Sequence, residues 1–152
     1  MFFLLGFFSC GMLFYGFFFT DFGAPFGTGF ATYEVAAPGD WVSEEDIILF
    51  EDRVVIRVNN ATVSNYAPTK SMKPLFDYGS NGIRVVPDSP SRVEVGDIVS
   101  YRMNDSLVVH RVVEKGIDSE GIYFITRGDN NAAEDGKIRF EDIEYVTIGV
   151  LW

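Results

Sequence analysis

Basic residues, cysteine and histidine are the scarce materials of this chain. Twelve lysines and arginines stand against twenty-two acids, giving a formal net charge of −10 over 152 residues. A domain so acidic repels phosphate backbones and anionic headgroups, which excludes a nucleic-acid partner. Cysteine occurs once, at Cys10, so neither an internal disulfide nor a cysteine-built zinc site can form. Histidine also occurs once, at His110, and six prolines are spread thinly. The length suits one domain with a core of its own and no more.

Charge is absent altogether from Met1 to Phe19, which read MFFLLGFFSCGMLFYGFFF. As a helix rising about 1.5 Å per residue, this run reaches roughly 28 Å, close to the ~30 Å core of a bilayer. No basic n-region precedes it and no A-x-A site follows it, which argues against a cleaved secretory signal. The apolar stretch before Cys10 is too short for a lipoprotein signal. A retained single-pass anchor over 1–19 is the expectation, with the lipid bilayer as a partner. The missing basic flank leads to the further expectation that residue 1 lies inside the anchor. No Lys or Arg occurs before Arg53, so orientation rests on the acidic bulk lying outside.

Residues 20–40 are rich in Gly, Pro and Thr and read as a juxtamembrane linker. From Trp41 to Trp152 strand signals dominate. Ile47–Phe50 and Arg53–Val58 flank Glu51-Asp52 as a hairpin. Further strands are expected at Ile83–Val86, Ile98–Met103, Leu107–Val113, Ile122–Thr126 and Tyr145–Leu151, with Glu114–Gly121 as a connection. Ser43–Asp46 and Phe140–Asp142 are the places for a turn of helix. The fold class is therefore mainly β, a compact and barrel-like domain behind one N-terminal transmembrane helix. Asn60-Ala61-Thr62 and Asn104-Asp105-Ser106 are glycosylation sequons that matter only outside the cell.

Three segments carry chemistry. Ser71 lies between Pro68 and Pro74, which stiffen the chain around it and could hold a nucleophile in place, although by itself it also reads as a plain surface loop serine. His110 sits mid-strand in Val108–Val113, where period two puts Val108, His110 and Val112 on one face and Val109, Arg111 and Val113 on the other. A neutral imidazole there can serve as a base, although a histidine among valines is more often a core residue bonded to a carbonyl. Gly128–Gly136 is an acidic turn. Read as an EF-hand from Asp129, it fails: Ala133 cannot ligate at the fifth position, Glu134 replaces the required glycine, and Phe140 occupies the twelfth. What remains is a bland acidic turn or the acid that orients a catalytic histidine.

Together these segments resemble the type I signal peptidases of the archaeal and endoplasmic-reticulum kind. The resemblance is carried by Ser71-Met72-Lys73-Pro74, Gly96-Asp97-Ile98-Val99, His110-Arg111-Val112 and Gly128-Asp129-Asn130-Asn131, in that order. The spacings also look like the family's: 39 residues from Ser71 to His110 and 25 from His110 to Asp135. The likeness covers residues 67–152 and implies a membrane-anchored serine endopeptidase that removes signal peptides from secreted preproteins. On that resemblance Ser71 is the nucleophile, His110 the general base and acid, and Asp135 the acid that orients His110. Asp129 is implied to be a second acid supporting the site. Thr69, with the Ser71 N–H, matches the oxyanion hole. No metal and no organic cofactor is implied. The implied partners are preprotein signal peptides and the protein-export machinery, and the implied location is the cell membrane with the catalytic domain on the extracytoplasmic side. One departure is Lys70, where the family often has glycine. With the atypical region before Ser71, it motivates the competing reading of an inactive membrane-tethered binding domain; the acidic charge and the two sequons motivate another, a structural cell-envelope protein.

Overall fold

The computed structural model describes residues 35–152. The anchor expected over 1–19 and most of the linker lie outside the described residues, and among the described residues no helix is long and apolar enough to cross a membrane. Val35 opens the described unit, which runs to Trp152.

Among the described residues nine strands form two sheets. The first is the hairpin expected from the sequence: β1 (Ile47–Leu49) pairs antiparallel with β2 (Val54–Ile56), with Ile47 opposite Ile56 and Leu49 opposite Val54. The second sheet contains β3 (Thr62–Asn65), β4 (Asn81–Val85), β5 (Ile98–Met103), β6 (Ser106–Asp118), β7 (Gly121–Arg127), β8 (Lys137–Ile138) and β9 (Ile143–Leu151). Their order is β3-β4-β9-β5-β6-β7-β8. The sheet is open, with β3 and β8 as its edges, rather than a closed barrel. Single turns of 3₁₀ helix occupy Glu44–Asp46 and Phe140–Asp142, both near the expected places.

Residues 114–121 correct the sequence reading. Glu114–Asp118 are not a connection: β6 continues to Asp118, pairing Lys115 with Phe124 and Ile117 with Ile122 across a hairpin closed at Gly121. The Lys, Gly and Asp of this stretch mimic a loop because the ribbon projects into solvent, where Ile117 is 80% exposed. The β5–β6 turn is Asn104-Asp105, both at positive φ (46° and 62°), the paired left-handed conformation that suits the twist of a two-residue hairpin.

The core lies between the faces of β5, β6, β7 and β9. Tyr101, Phe124, Val93, Val99, Val112 and Val146 are fully buried. Each such apolar side chain contributes about 1.5–3 kcal/mol relative to exposure. A smaller cluster of Tyr66, Met72, Phe76 and Ile98 lies under the Ser71 segment, with the Tyr66 and Phe76 rings stacked at 4.1 Å.

Candidate active site

Ser71 is held from two directions. Its carbonyl accepts the Asn130 backbone N–H (2.8 Å), and the Lys70 carbonyl accepts the Asn130 side-chain amide (3.2 Å). The acidic turn thus clamps the serine segment by hydrogen bonds across sixty residues of sequence. Gly128 permits the approach, because a Cβ there would stand 2.7 Å from the Ser71 carbonyl. On the other side, Asp77 accepts the Lys70 backbone N–H (3.1 Å) and pairs with Lys73 (3.4 Å). Burial opposes ionisation of Asp77, yet the Tyr78 and Lys70 amides and the Lys73 ammonium hold its carboxyl below the usual range.

Lys70 lies at φ +64°, in the left-handed region. That is the physical reason a glycine suits this place better than any side chain. Left-handed backbone costs a non-glycine residue about 1–2 kcal/mol, and glycine gives back part of that in the unfolded chain, so Lys70→Gly is expected to stabilise the domain by roughly 0.5–1 kcal/mol. Thermal unfolding reads it; a midpoint that falls would mean the lysine side chain makes a compensating interaction.

His110 is buried at the middle of β6, on the core face. Its Nδ1 lies 2.6 Å from Asp135 Oδ2. An ionised carboxylate only accepts, so Nδ1 carries the proton and Nε2 is left with a lone pair. The same Asp135 oxygen also accepts the Tyr101 hydroxyl (2.9 Å) and lies 2.9 Å from the Thr126 hydroxyl, which is itself 3.0 Å from the Tyr101 oxygen. Tyr101 and Thr126 are fully buried. Burial pushes the Tyr101 phenol well above its ordinary value; the Thr126 hydroxyl works the other way and the Asp135 carboxylate adds to the rise. Tyr101 therefore remains a protonated donor to the carboxylate. The Asp135 backbone N–H donates to the Thr126 carbonyl (2.7 Å), which fixes the turn against the end of β7.

Asp129 is placed differently. Its two carboxylate oxygens accept Arg111 Nε and Nη2, both at 2.8 Å, in a bidentate pair, and no hydrogen bond joins it to His110. Arg111 points to the opposite face of β6 and also donates to the carbonyls of Gly96 (2.8 Å) and Ala36 (3.3 Å). Both partners are almost wholly buried, 7% and 9% exposed by side chain. Asp129→Ala leaves the guanidinium buried without a counter-charge and is expected to cost about 3–5 kcal/mol, with Arg111→Met in the same chain recovering much of it. Denaturant unfolding of the single and double variants measures this; a single variant of undiminished stability would show the pair to be energetically idle.

Asp97, in the Gly-Asp-Ile-Val segment, is fully buried and structural. It accepts the Gly39 backbone N–H (2.8 Å), the Trp41 indole N–H (3.0 Å) and the Glu94 backbone N–H (2.9 Å). Gly96 before it lies at φ +106°, and a Cβ there would collide with the Ala37 carbonyl. With Arg111, Asp97 fastens residues 36–41 to the sheet.

Ser71 and His110 line one cleft of about 610 Å³. Its walls are Ser64–Ala67, just past and along β3, and Ser106–His110 of β6. Among the described residues both wall strands have a free edge: β3 ends the sheet, and β7 pairs with β6 only from Arg111 onward. Ser71 Oγ lies 3.1 Å from Thr69 Oγ1, and the Ser71 N–H donates to the same Thr69 oxygen at 3.4 Å. Among the described residues no hydrogen bond joins Ser71 to His110, so the nucleophile and base expected from the sequence line one cleft without a bond between them. A bond between a nucleophile and its base commonly forms fully only when substrate occupies the cleft. Sequence reasoning missed Tyr101, Thr126 and Asn130. The hydroxyls sit inside strand runs, where only the register between distant strands reveals what they face.

The chain is similar to curated catalytic subunits of signal peptidase complexes. The SEC11 subunit of Pyricularia oryzae is 33% identical over 78 residues, covering 50% of this chain and 45% of that protein. The SEC11 subunit of Candida tropicalis is also 33% identical over 78 residues, with 50% and 46% covered. That of Penicillium rubens is 31% identical over 78 residues, with 50% and 43% covered. The chain thus spans about half the length of the curated relatives it matches. No protein-family model matches it.

Proposed function

We propose that this protein is a membrane-anchored serine endopeptidase that removes signal peptides from secreted preproteins, with Ser71 as nucleophile and His110 as base. The observation that carries the reading is the placement of Ser71 and His110 in one cleft, with the far nitrogen of His110 held by Asp135. The similarity to catalytic subunits of signal peptidase complexes supports it.

In this mechanism a preprotein lies extended in the cleft, where the free edges of β3 and β6 can pair with its backbone. His110 Nε2 takes the Ser71 hydroxyl proton as Oγ attacks the scissile carbonyl. Asp135 stabilises the imidazolium. The oxyanion is met by the Ser71 N–H and the Thr69 hydroxyl, which must turn from their mutual contacts to reach it. The imidazolium then gives its proton to the leaving amine, and the new N-terminus departs. Water, deprotonated by Nε2, attacks the acyl-enzyme; the proton returns to Ser71 Oγ and the signal peptide leaves with a free carboxylate. The reaction calls for no metal and no organic cofactor. Asp129, held by Arg111, supports the turn that clamps Ser71 rather than handling a proton.

Membrane placement is part of the same reading. The Met1–Phe19 run would hold the cleft where signal helices emerge, on the extracytoplasmic side beside the protein-export machinery, so that confinement replaces affinity. The β1–β2 hairpin supports it, since Ile47, Leu49, Val54 and Ile56 expose one apolar face (Leu49 is 74% exposed). The relatives' names describe subunits of a complex, and partner subunits are proposed here too. The test is incubation of the full chain, in detergent, with several preproteins and mass spectrometry of the products. Cleavage after a small residue at the end of the signal segment is expected; a folded protein that cuts none of them would refute the reading.

A further inference from the structure

Arg84, on β4, lines the same cleft as Ser71 and His110. Its Nε donates to Thr62 Oγ1 (3.2 Å), and its guanidinium lies 3.8 Å above the centre of the Tyr145 ring. These contacts fix the stem and the plane of the group but leave Nη1 and Nη2 without a hydrogen-bond partner among the described residues. Most other described arginines have carboxylate partners: Arg53, Arg57, Arg102, Arg111, Arg127 and Arg139 all pair with Asp or Glu. Arg92 stacks on Trp41 instead, away from the cleft lining. The other charged residue lining the cleft is Asp77, already paired with Lys73. A chain of net charge −10 thus keeps a pre-oriented guanidinium fork, with no acid paired to it among the described residues, at its cleft.

A fixed fork of N–H donors matches a carboxylate better than any other peptide side chain. We infer that Arg84 is a specificity residue that selects peptides carrying an Asp or Glu side chain close to the scissile bond. This rests on the peptidase reading, because it takes the occupant of the cleft to be a peptide.

The experiment uses the full chain in detergent and a set of labelled peptides spanning a signal-peptide junction, with Glu, Gln or Lys placed at each position on both sides of the cut in turn. Cleavage is followed with the wild type, and binding with Ser71→Ala by fluorescence anisotropy. At one position Glu is expected to exceed Gln by about tenfold, the difference between a charge-assisted and a neutral hydrogen bond, in kcat/KM and in affinity. That ratio should fall to about one in Arg84→Gln, shrink with added salt, and survive in part in Arg84→Lys, which keeps the charge but not the fork. A Glu-to-Gln ratio near one at every position in the wild type, or one that persists in Arg84→Gln, would overturn the inference. If the wild type cuts no peptide, the peptidase reading fails, while the binding ratio still decides what Arg84 selects.

Discussion

Ser71→Ala is expected to abolish preprotein cleavage, lowering kcat by roughly a million-fold, the loss seen when a serine nucleophile is removed from a complete triad. The expectation follows from how the site is built. Lys70 and Ser71 are fixed by Asn130 on one side, and Lys70 by Asp77 on the other, so the alanine variant should fold with its segment in place. Only the hydroxyl oxygen is lost. Two readouts separate the outcomes. A fluorophosphonate probe should label the wild type and not Ser71→Ala, and cleavage of a preprotein should vanish in parallel. Cleavage that survives the substitution would mean that another group attacks the carbonyl. Wild type and variant equally silent, and equally unlabelled, would point to the tethered binding domain, in which Ser71 only closes a hydrogen bond with Thr69.

The parts of this site differ in how far the sequence alone reveals them. Ser71, His110 and Asp135 are singled out by the family resemblance rather than by composition alone, and it rests on short boxes: a serine between prolines, a lone histidine among valines, and the acidic stretch that follows a Gly-Asp-Asn-Asn turn. The strongest strands are equally visible, because Ile98–Met103 and Tyr145–Leu151 are rich in β-branched and aromatic residues. Other elements are hidden for physical reasons. β3 reads Thr-Val-Ser-Asn because it is an edge strand with little to bury, and nothing local separates it from a loop. The outer half of β6 looks like a connection because a ribbon in solvent has loop composition. Asp129 stands six residues before Asp135 in one turn, yet the two carboxylates serve opposite faces of β6. His110 and Arg111 fall on opposite faces because they are neighbours on one strand, but which carboxylate meets which of them depends on how the distant turn packs against β6, and no single segment contains that. The hydroxyls of Tyr101 and Thr126 are obscured in the same way. Tyr101 stands opposite Val108 and Arg127 opposite Arg111, and only that register brings both hydroxyls to Asp135.

Those hydroxyls set the second large expected effect. Asp135→Ala removes the acceptor of His110 Nδ1–H and is expected to lower kcat by about 10,000-fold or somewhat more, as loss of a triad acid does. The amide substitution should behave differently here. An asparagine in a triad is damaging when its NH₂ faces the histidine, because Nδ1 must then accept and the proton moves to Nε2, where it blocks the base. In this protein one carboxylate oxygen, Oδ2, faces His110 Nδ1, the Tyr101 hydroxyl and the Thr126 hydroxyl together. An amide NH₂ placed there would confront two hydroxyls and an imidazole, whereas the amide oxygen can accept from them. Asp135→Asn should therefore keep the productive tautomer and lose only the negative charge that stabilises the imidazolium. A fall of roughly 100- to 1,000-fold is expected, well short of the alanine variant, on the scale of one or two charge-assisted hydrogen bonds of about 1.5–3 kcal/mol each. Adding Tyr101→Phe and Thr126→Val to Asp135→Asn removes the two groups that orient the amide, and kcat should then drop to the level of Asp135→Ala. Single-turnover rates of the four proteins make the comparison. Equal rates for Asp135→Asn and Asp135→Ala would show that the hydroxyls do not choose the amide's orientation, and the role of Tyr101 and Thr126 would shrink to filling the core beneath the histidine.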